Sequence, residues 1–286
     1  MPLIRKTTRT SELAGTAAAL AFLAMGAPAS AAGVVPLASH RAAYELSLTD
    51  PASPPSASVQ TPIAASGLIA YEFRGSACEG YTSSFRQMTQ MDRNEGDPIS
   101  MEVNATSFED PDGKSMRFRV ATQGEQLSPA VSGIATRSGD DDLQVQLTQP
   151  ATKSIHFGHA VLFPTQHIER LIEAAKAGGG AVQARVYDGS DTGSKIFATM
   201  AIVGKETKAQ GEDDDAGAAL KDVRSWPVVV SYFDEASKDS APEYTLSFRL
   251  YENGVSGSLK LDYGNFALHA HLKKLEILPT VGCAKP

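Results

Sequence analysis

Residues 244–263, Tyr-Thr-Leu-Ser-Phe-Arg-Leu-Tyr-Glu-Asn-Gly-Val-Ser-Gly-Ser-Leu-Lys-Leu-Asp-Tyr, decide the fold class of this chain. From 244 to 250 apolar residues alternate with polar ones, as in a strand with one buried face and one face in water. Asn253-Gly254 tolerates the positive φ of a tight turn, and an alternating pattern resumes over 255–263. The stretch therefore predicts two antiparallel strands joined by a hairpin.

The same two-residue period recurs along most of the chain. It is clear at 44–48, 101–106, 116–120, 143–148 and 266–273. Asp112-Gly113 and Asp188-Gly189 are further hairpin signals. We count about thirteen strands, spread evenly enough that no linker divides them, with loops at 50–62 and 205–219. The pattern predicts an all-β fold in which residues 32–286 form one domain of antiparallel sheet.

One segment has a helical period instead. Ile168, Leu171, Ile172 and Ala175 are spaced i, i+3, i+4, i+7, and Gly178-Gly179-Gly180 follows them. Thr165 can cap the start of this helix. We expect an amphipathic helix that covers an open part of the β-structure, with Ile168, Leu171 and Ile172 packed against the concave side of the sheet.

The first 31 residues have the features of an export signal. Three cations precede an apolar run over 13–25, which is too short to span a bilayer, and Ala29-Ser30-Ala31 fits a small-x-small cleavage pattern. We predict a signal peptide over residues 1–31 and no later transmembrane segment. The net charge of −7 and the pI near 5.4 argue against a nucleic-acid-binding protein, which needs a concentrated basic surface.

Cys78 and Cys283 are the two cysteines of the chain. In an exported protein such a pair predicts one disulfide, here between an early strand and the C-terminal tail. Redox catalysis is the weaker alternative because no C-x-x-C motif is present, and a metal site from two distant cysteines is weaker still.

Histidines offer the first candidate for site chemistry. His156, His159 and His167 lie within twelve residues, but their spacing is not the i, i+4 pair of a helical zinc motif. His269 and His271 share the polar face of a strand without a third ligand. We interpret all five as surface or hydrogen-bonding residues and expect no metal and no cofactor.

Hydrolase motifs are equally weak. Asp191-Thr192-Gly193 resembles the triplet of aspartic proteases, but those enzymes need two such aspartates, and here the triplet follows Asp188-Gly189 in a predicted turn. The chain also lacks the spacing and the closing Glu of an EF-hand calcium loop. It contains no G-x-S-x-G, P-loop or dinucleotide-binding motif. We therefore expect no enzymatic activity.

Longer motifs point to a family. In chain order they are Leu37-Ala38-Ser39-His40-Arg41-Ala42-Ala43-Tyr44-Glu45-Leu46, Ala77-Cys78-Glu79-Gly80-Tyr81, Phe163-Pro164-Thr165-Gln166-His167, Trp226-Pro227-Val228, Leu250-Tyr251-Glu252-Asn253-Gly254-Val255 and the late Cys283. Over roughly residues 35–283 the chain resembles the EipB-like family of cell envelope integrity proteins.

The resemblance implies a periplasmic protein of a Gram-negative cell. It implies a single β-spiral, a strongly curved antiparallel sheet like an incompletely closed barrel, with a disulfide at the positions of Cys78 and Cys283. The implied role is in envelope integrity. We expect a non-enzymatic protein that acts as a monomer by contacting other envelope proteins. A carrier of a lipid or lipoprotein acyl chain is the alternative, because a curved barrel with a helical plug can hold an apolar ligand.

Overall fold

The computed structural model describes residues 35–50, 61–124, 129–139, 141–208, 217–238 and 240–279, and residue 283. The predicted signal peptide, most of the 50–62 loop and the acidic part of the 205–219 loop lie outside these described residues. Within them, no helix has the length and apolar character needed to cross a membrane.

The described chain is almost entirely β-structure. The strands of its first half are β1 His40–Thr49, β2 Ala64–Ser76, β3 Gly80–Asp92, β4 Ile99–Glu109, β5 Ser115–Gln123, β6 Val131–Ser138, β7 Asp142–Gln149, β8 Lys153–Phe157 and β9 Val161–Leu162. Helix α1 spans Pro164–Lys176 and the short α2 spans Gly217–Leu220. The remaining strands are β10 Gly180–Val186, β11 Phe197–Val203, β12 Ser225–Asp234, β13 Tyr244–Tyr251, β14 Ser256–Asp262 and β15 Ala267–Ile277.

All fifteen strands belong to one sheet, in the order β8-β7-β6-β5-β4-β3-β2-β1-β15-β14-β13-β12-β11-β10-β9. Strand β1 lies in the middle because it pairs with β2 on one side and β15 on the other. Every pairing is antiparallel except the short parallel contact of β9 with β10. The sheet is a nearly closed barrel whose one seam separates β8 from β9, which are consecutive in the chain. The expected all-β, open-barrel fold is confirmed.

Three apolar clusters fill the described interior. The largest joins α1 to β10–β13 and also to Phe73 of β2 and Tyr81 of β3. Strands β2 and β13 are four positions apart in the sheet, which is about 19 Å in a flat sheet. Their side chains share a cluster because the sheet curls around α1. The second cluster lies under β1, β14 and β15, and the third under β5–β7.

Three local expectations need correction. The described residues contain fifteen strands and not about thirteen, since β9 has two residues and no room to show alternation. Asp188-Gly189 does not make a tight hairpin, because 187–196 form a longer loop that folds back into the third cluster. Thr165 is not the cap of α1: the helix begins at Pro164, and the side chain of Gln166 accepts a hydrogen bond from Phe163 N–H at 3.0 Å.

Candidate functional site

Helix α1 occupies the inside of the barrel. Leu171 and Ile172 are fully buried and Ile168 is partly buried, all within the cluster that contains Trp226 and Phe248. The helix ends at Lys176, and the N–H of Gly179, whose φ is +84°, donates to Ala174 C=O at 2.9 Å. This amphipathic helix therefore packs its apolar stripe on the concave side of β10–β13.

A buried carboxyl group binds the first turn of α1. Glu109, the last residue of β4, is 4% exposed and accepts hydrogen bonds from Thr165 N–H at 3.0 Å and from the Thr165 hydroxyl at 2.9 Å. Free N–H groups and the helix dipole favour a negative charge at this end of a helix. Burial nevertheless outweighs these hydrogen bonds and raises the pKa of Glu109 to about 7. Glu109 is therefore partly protonated near neutral pH.

Arg137 of β6 holds the same end of the helix from another side. Its guanidinium donates to Gln166 Oε1 at 2.8 Å and to the carbonyl oxygens of Gly113 and Val161. It also lies over the Phe163 ring, 4.3 Å from the centroid. Glu109 and Arg137 thus fix the entry of α1 to two strands of the wall.

A small cavity of about 70 Å³ lies beside Glu109. His40, Tyr71, Ser83 and Thr165 line it together with apolar side chains. Water takes about 30 Å³ in the liquid, and pockets for drug-sized ligands start at about 300 Å³. This cavity can hold water or a small polar group, and an acyl chain would need α1 to move.

The titratable groups around this cavity favour their neutral forms. His40 donates from Nδ1 to Ala38 C=O at 2.8 Å, and burial lowers its pKa. Burial also raises the pKa of Tyr71, with a contribution from the charge of Glu109. The cavity therefore contains hydrogen-bonding groups but few permanent charges.

Four partly exposed aromatic residues, Tyr232, Tyr244, Tyr263 and Phe266, form an aromatic wall on the inner face of the sheet. Tyr232 and Tyr244 stack with ring centroids 4.5 Å apart, and Tyr263 lies 6.2 Å from Tyr244 and 5.0 Å from Phe266. Tyr232 shares its face of β12 with buried Trp226, so it points inward. Burial raises the pKa of Tyr244 well above its ordinary value. These rings give the interior an apolar surface that α1 does not cover completely.

The two cysteines lie at the rim of the barrel. The structure bonds Cys78, in the turn between β2 and β3, to Cys283, which follows β15, with Cα atoms 5.7 Å apart. That separation is ordinary for a disulfide. Both residues are exposed. Because β15 pairs with β1 and β1 pairs with β2, the bond links the tail to a strand two positions away in the sheet.

The histidines separate into different environments. His159 and His156 are exposed and lie 2.6 Å and 3.4 Å from the carboxylate of Asp142. His167 is buried in α1, 3.4 Å from the Thr199 hydroxyl, and burial lowers its pKa to about 4. His269 and His271 are neighbours with ring centroids 6.2 Å apart. Among the described residues, no group of three or more His, Cys, Asp or Glu side chains could hold a metal ion.

The Asp191-Thr192-Gly193 triplet belongs to the loop that packs under β5–β7. The Tyr187 hydroxyl is buried and donates to Gly193 C=O at 2.9 Å. Asp191 has a φ of +54° and forms an ion pair with Lys195 at 3.1 Å. These contacts therefore give the triplet a structural role, which is to shape the loop between β10 and β11.

Sequence reasoning missed Glu109 and Arg137. A signal for Glu109 exists, since the alternation that turns Val103 and Ala105 inward also turns Glu109 inward. A charged residue at an inward position of a strand predicts a buried polar contact. Nothing in the sequence around Arg137 indicates that it reaches α1, because its partners come from other parts of the chain.

Comparisons with known proteins agree with this architecture. A profile of the EipB-like family matches residues 31–279. The cell envelope integrity protein EipB of Brucella abortus (strain 2308) is 36% identical over 263 residues, covering 90% of this chain and 91% of that protein. A crystal structure of a β-barrel-like protein of a domain of unknown function, also from Brucella abortus, superposes with a TM-score of 0.77 at 34% identity and covers 86% of this chain and 100% of its own. The fold, the family profile and these two relatives together show that the chain belongs to the EipB-like family.

Proposed function

We propose that this protein maintains cell envelope integrity from the periplasm, without catalysis, by contacting other envelope proteins through the outer face of its barrel. The relative from Brucella abortus carries envelope integrity in its name. The three apolar clusters and α1 use much of the described interior for packing, which leaves the outer face for partners.

One observation on the outer face carries the proposal. Leu68 of β2 and Met88 of β3 are direct register partners, and they are 53% and 41% exposed. They border a groove of about 480 Å³. Neighbouring exposed apolar side chains beside a groove are typical of a protein-contact surface.

A complementation experiment tests this contact. In a strain that lacks the gene, the double variant Leu68→Glu/Met88→Glu should keep the parent's melting temperature but fail to restore resistance to detergents and cell-wall antibiotics. The double variant Ile202→Glu/Val229→Glu is the matched control, because these register partners of β11 and β12 are 53% and 40% exposed and lie outside that groove. If the double variant protects the envelope as well as the parent, this surface is not the contact. A photocrosslinking residue at position 88 should capture a partner that the same residue at position 202 does not.

Export is part of the same proposal. We propose that residues 1–31 are removed and that 32–286 form the mature domain, which acts as a monomer. The family profile begins at residue 31, which supports a boundary there. N-terminal sequencing of protein from the periplasmic fraction should start at residue 32, within two residues. Light scattering of the same material should give the mass of one chain.

The aromatic wall favours a second candidate function, a carrier of an acyl chain. Tyr232, Tyr244 and Phe266 are partly exposed on the inside, and α1 is an amphipathic element that could leave its place. The cavity of about 70 Å³ beside Glu109 means that this function requires α1 to move. Native mass spectrometry of gently purified protein should then show a lipid adduct, which Tyr232→Ser/Tyr244→Ser should reduce. If protein purified in the presence of lipid-rich membranes gives a spectrum without an adduct, the carrier function is contradicted.

A further inference from the structure

We propose that the free edge of β10 binds an extended, uncharged segment of a partner protein, which adds a strand to the sheet. In the order of the sheet, β10 lies between β11 and the two-residue strand β9. Strand β11 pairs with all of β10, whereas β9 pairs only with Arg185 and Val186. On the β9 side, residues 180–184 therefore have no neighbouring strand within the described parts of the chain.

Two hydrogen bonds show which backbone groups of β10 point to this free edge. A threonine hydroxyl of β11 donates to Ala184 C=O at 3.2 Å, so Ala184 faces β11. The N–H of Tyr187, just after β10, donates to a carbonyl oxygen of β9 at 2.9 Å, so Tyr187 faces the other side. Successive residues of a strand point their N–H and C=O groups to opposite sides. Ala181 and Gln183 therefore direct these groups to the free edge.

These two residues present four backbone groups that the rest of the described chain leaves unpaired. Ala181 and Gln183 are both exposed, and no hydrogen bond between described residues uses their N–H or C=O groups on this side. Their Cα atoms are about 7 Å apart, which is the two-residue repeat of a neighbouring strand. The backbone of another extended chain is the partner that satisfies such a row of alternating donors and acceptors.

The edge of β10 lacks the features that usually prevent pairing. Proteins protect a sheet edge with a charged side chain, a proline or a bulge. Residues 180–184 have the sequence Gly-Ala-Val-Gln-Ala and pair with β11 without a bulge. The strand at the other side of the seam, β8, carries exposed Lys153 and His156. Of the two sides of the seam, β10 is thus the one that an incoming strand can approach without meeting a charge.

Charge and length define the partner segment. A second copy of this chain would bring another net charge of −7, and two such copies repel each other. The edge itself has no ionisable side chain that would attract an acidic or a basic segment. Its five residues extend over about 17 Å, which is the length of about five residues of an added strand. A short uncharged segment of a different protein therefore fits best.

Amide hydrogen exchange of the mature domain tests the edge itself. The amides of residues 181 and 183 should exchange at least tenfold faster than those of 182 and 184, which bond to β11. Slow exchange at 181 and 183 in dilute protein would mean that the chain already covers its own edge. Protection that appears only as the protein concentration rises would assign the edge to a second copy. Either result would overturn the proposal.

A pentapeptide of threonine, blocked at both ends, is the probe for strand addition. It is uncharged and β-branched, as an added strand requires. At millimolar concentration it should saturably shift the amide signals of residues 181 and 183 and slow their exchange at least tenfold. The same peptide methylated on every second backbone nitrogen keeps one intact edge and should bind within threefold. Methylation of every backbone nitrogen should abolish binding, because no N–H group remains to donate.

Variants of the protein complete the test. Gln183→Pro removes one N–H group that faces solvent, where a strand tolerates proline, so it should stay folded but bind the peptide at least tenfold more weakly. Gln183→Ala keeps this N–H group and should bind within twofold of the parent. Leu68→Glu/Met88→Glu should also bind like the parent, because β2 and β10 are seven positions apart in the sheet. This edge can therefore fail its test while the Leu68–Met88 surface passes, and the reverse.

Three results would contradict strand addition at β10. The first is the absence of any shift at residues 181 and 183 with millimolar peptide. The second is equal binding of the fully methylated and unmethylated peptides, which decides the question even if Gln183→Pro does not fold. The third is unchanged binding by a folded Gln183→Pro variant.

Discussion

The carboxyl group of Glu109 in β4 accepts two hydrogen bonds from Thr165 in the first turn of α1, at 3.0 Å from the backbone nitrogen and 2.9 Å from the hydroxyl. The two residues are 56 positions apart in the chain. This contact attaches the helix inside the barrel to the wall opposite the strands on which its apolar stripe packs. It makes the position of α1 depend on one buried acid.

The raised pKa of Glu109 predicts a pH dependence of stability. With a pKa of about 7 in the folded protein and 4.5 in the unfolded one, the folded state binds more protons between these values. The free energy of unfolding should therefore fall as pH rises through this window, by about 3 kcal/mol from this group. Differential scanning fluorimetry from pH 4.5 to 8 measures the effect.

Glu109→Gln supplies the control for that measurement. It keeps an oxygen to accept the Thr165 hydrogen bonds but does not titrate. His167, whose pKa is lowered to about 4, gains a proton on unfolding and so gives stability that rises between about pH 4 and 6.5 in both proteins. The difference between parent and Glu109→Gln therefore isolates the glutamate. If the two pH profiles are parallel, Glu109 does not titrate in this window.

Leu171→Ala should destabilise the protein by about 2–4 kcal/mol, because it leaves a cavity where α1 packs on Trp226 and its neighbours. Chemical denaturation measures the loss. Ile202→Ala should change stability by less than about 0.5 kcal/mol, since Ile202 is 53% exposed on the outer face of β11. Equal stability of Leu171→Ala and the parent would mean that α1 is not part of the cooperative core.

Cys78→Ser, Cys283→Ser and the double variant should lower the melting temperature by similar amounts, because each change breaks the same bond. The entropy of a loop closed over 205 residues sets an upper value of about 5 kcal/mol. The parent with a reductant should match the variants, since both cysteines are exposed. Two free thiols in the denatured, unreduced parent would contradict the bond itself. A stable double variant that fails to protect the envelope would indicate a redox role.

Gly193→Ala should lower the free energy of unfolding by about 1–3 kcal/mol through steric overlap, in addition to the cost of placing an alanine in a left-handed backbone conformation. Gly193 has a φ of +69°, and a Cβ there would lie 2.7 Å from Val131 Cγ1 and 2.9 Å from Leu147 Cδ2. Gly264→Ala is the matched control, because its φ is +84° and a Cβ would meet nothing within 4 Å. It should show only the cost of the left-handed conformation, about 1 kcal/mol. If both variants unfold at the same temperature, the loop is not packed under β5–β7.

The sequence by itself determined the elements of this protein. Alternation over 244–250 and the Asn253-Gly254 turn depend on neighbours a few residues away, and β13 and β14 form where those local patterns predict them. The period of 168–175 likewise predicts α1 and its end at the glycines. Local preferences can be read from a sequence because the groups that satisfy them are close in the chain.

Only the tertiary structure decided how these elements meet. That β1 pairs with β15, and that α1 enters the barrel between Glu109 and Arg137, follows from contacts across tens to hundreds of residues. Tyr232 and Tyr244 stack on an inner wall because the sheet curls. The physical reason is that burial and charge act through space, and the sheet's curvature sets which distant groups become neighbours.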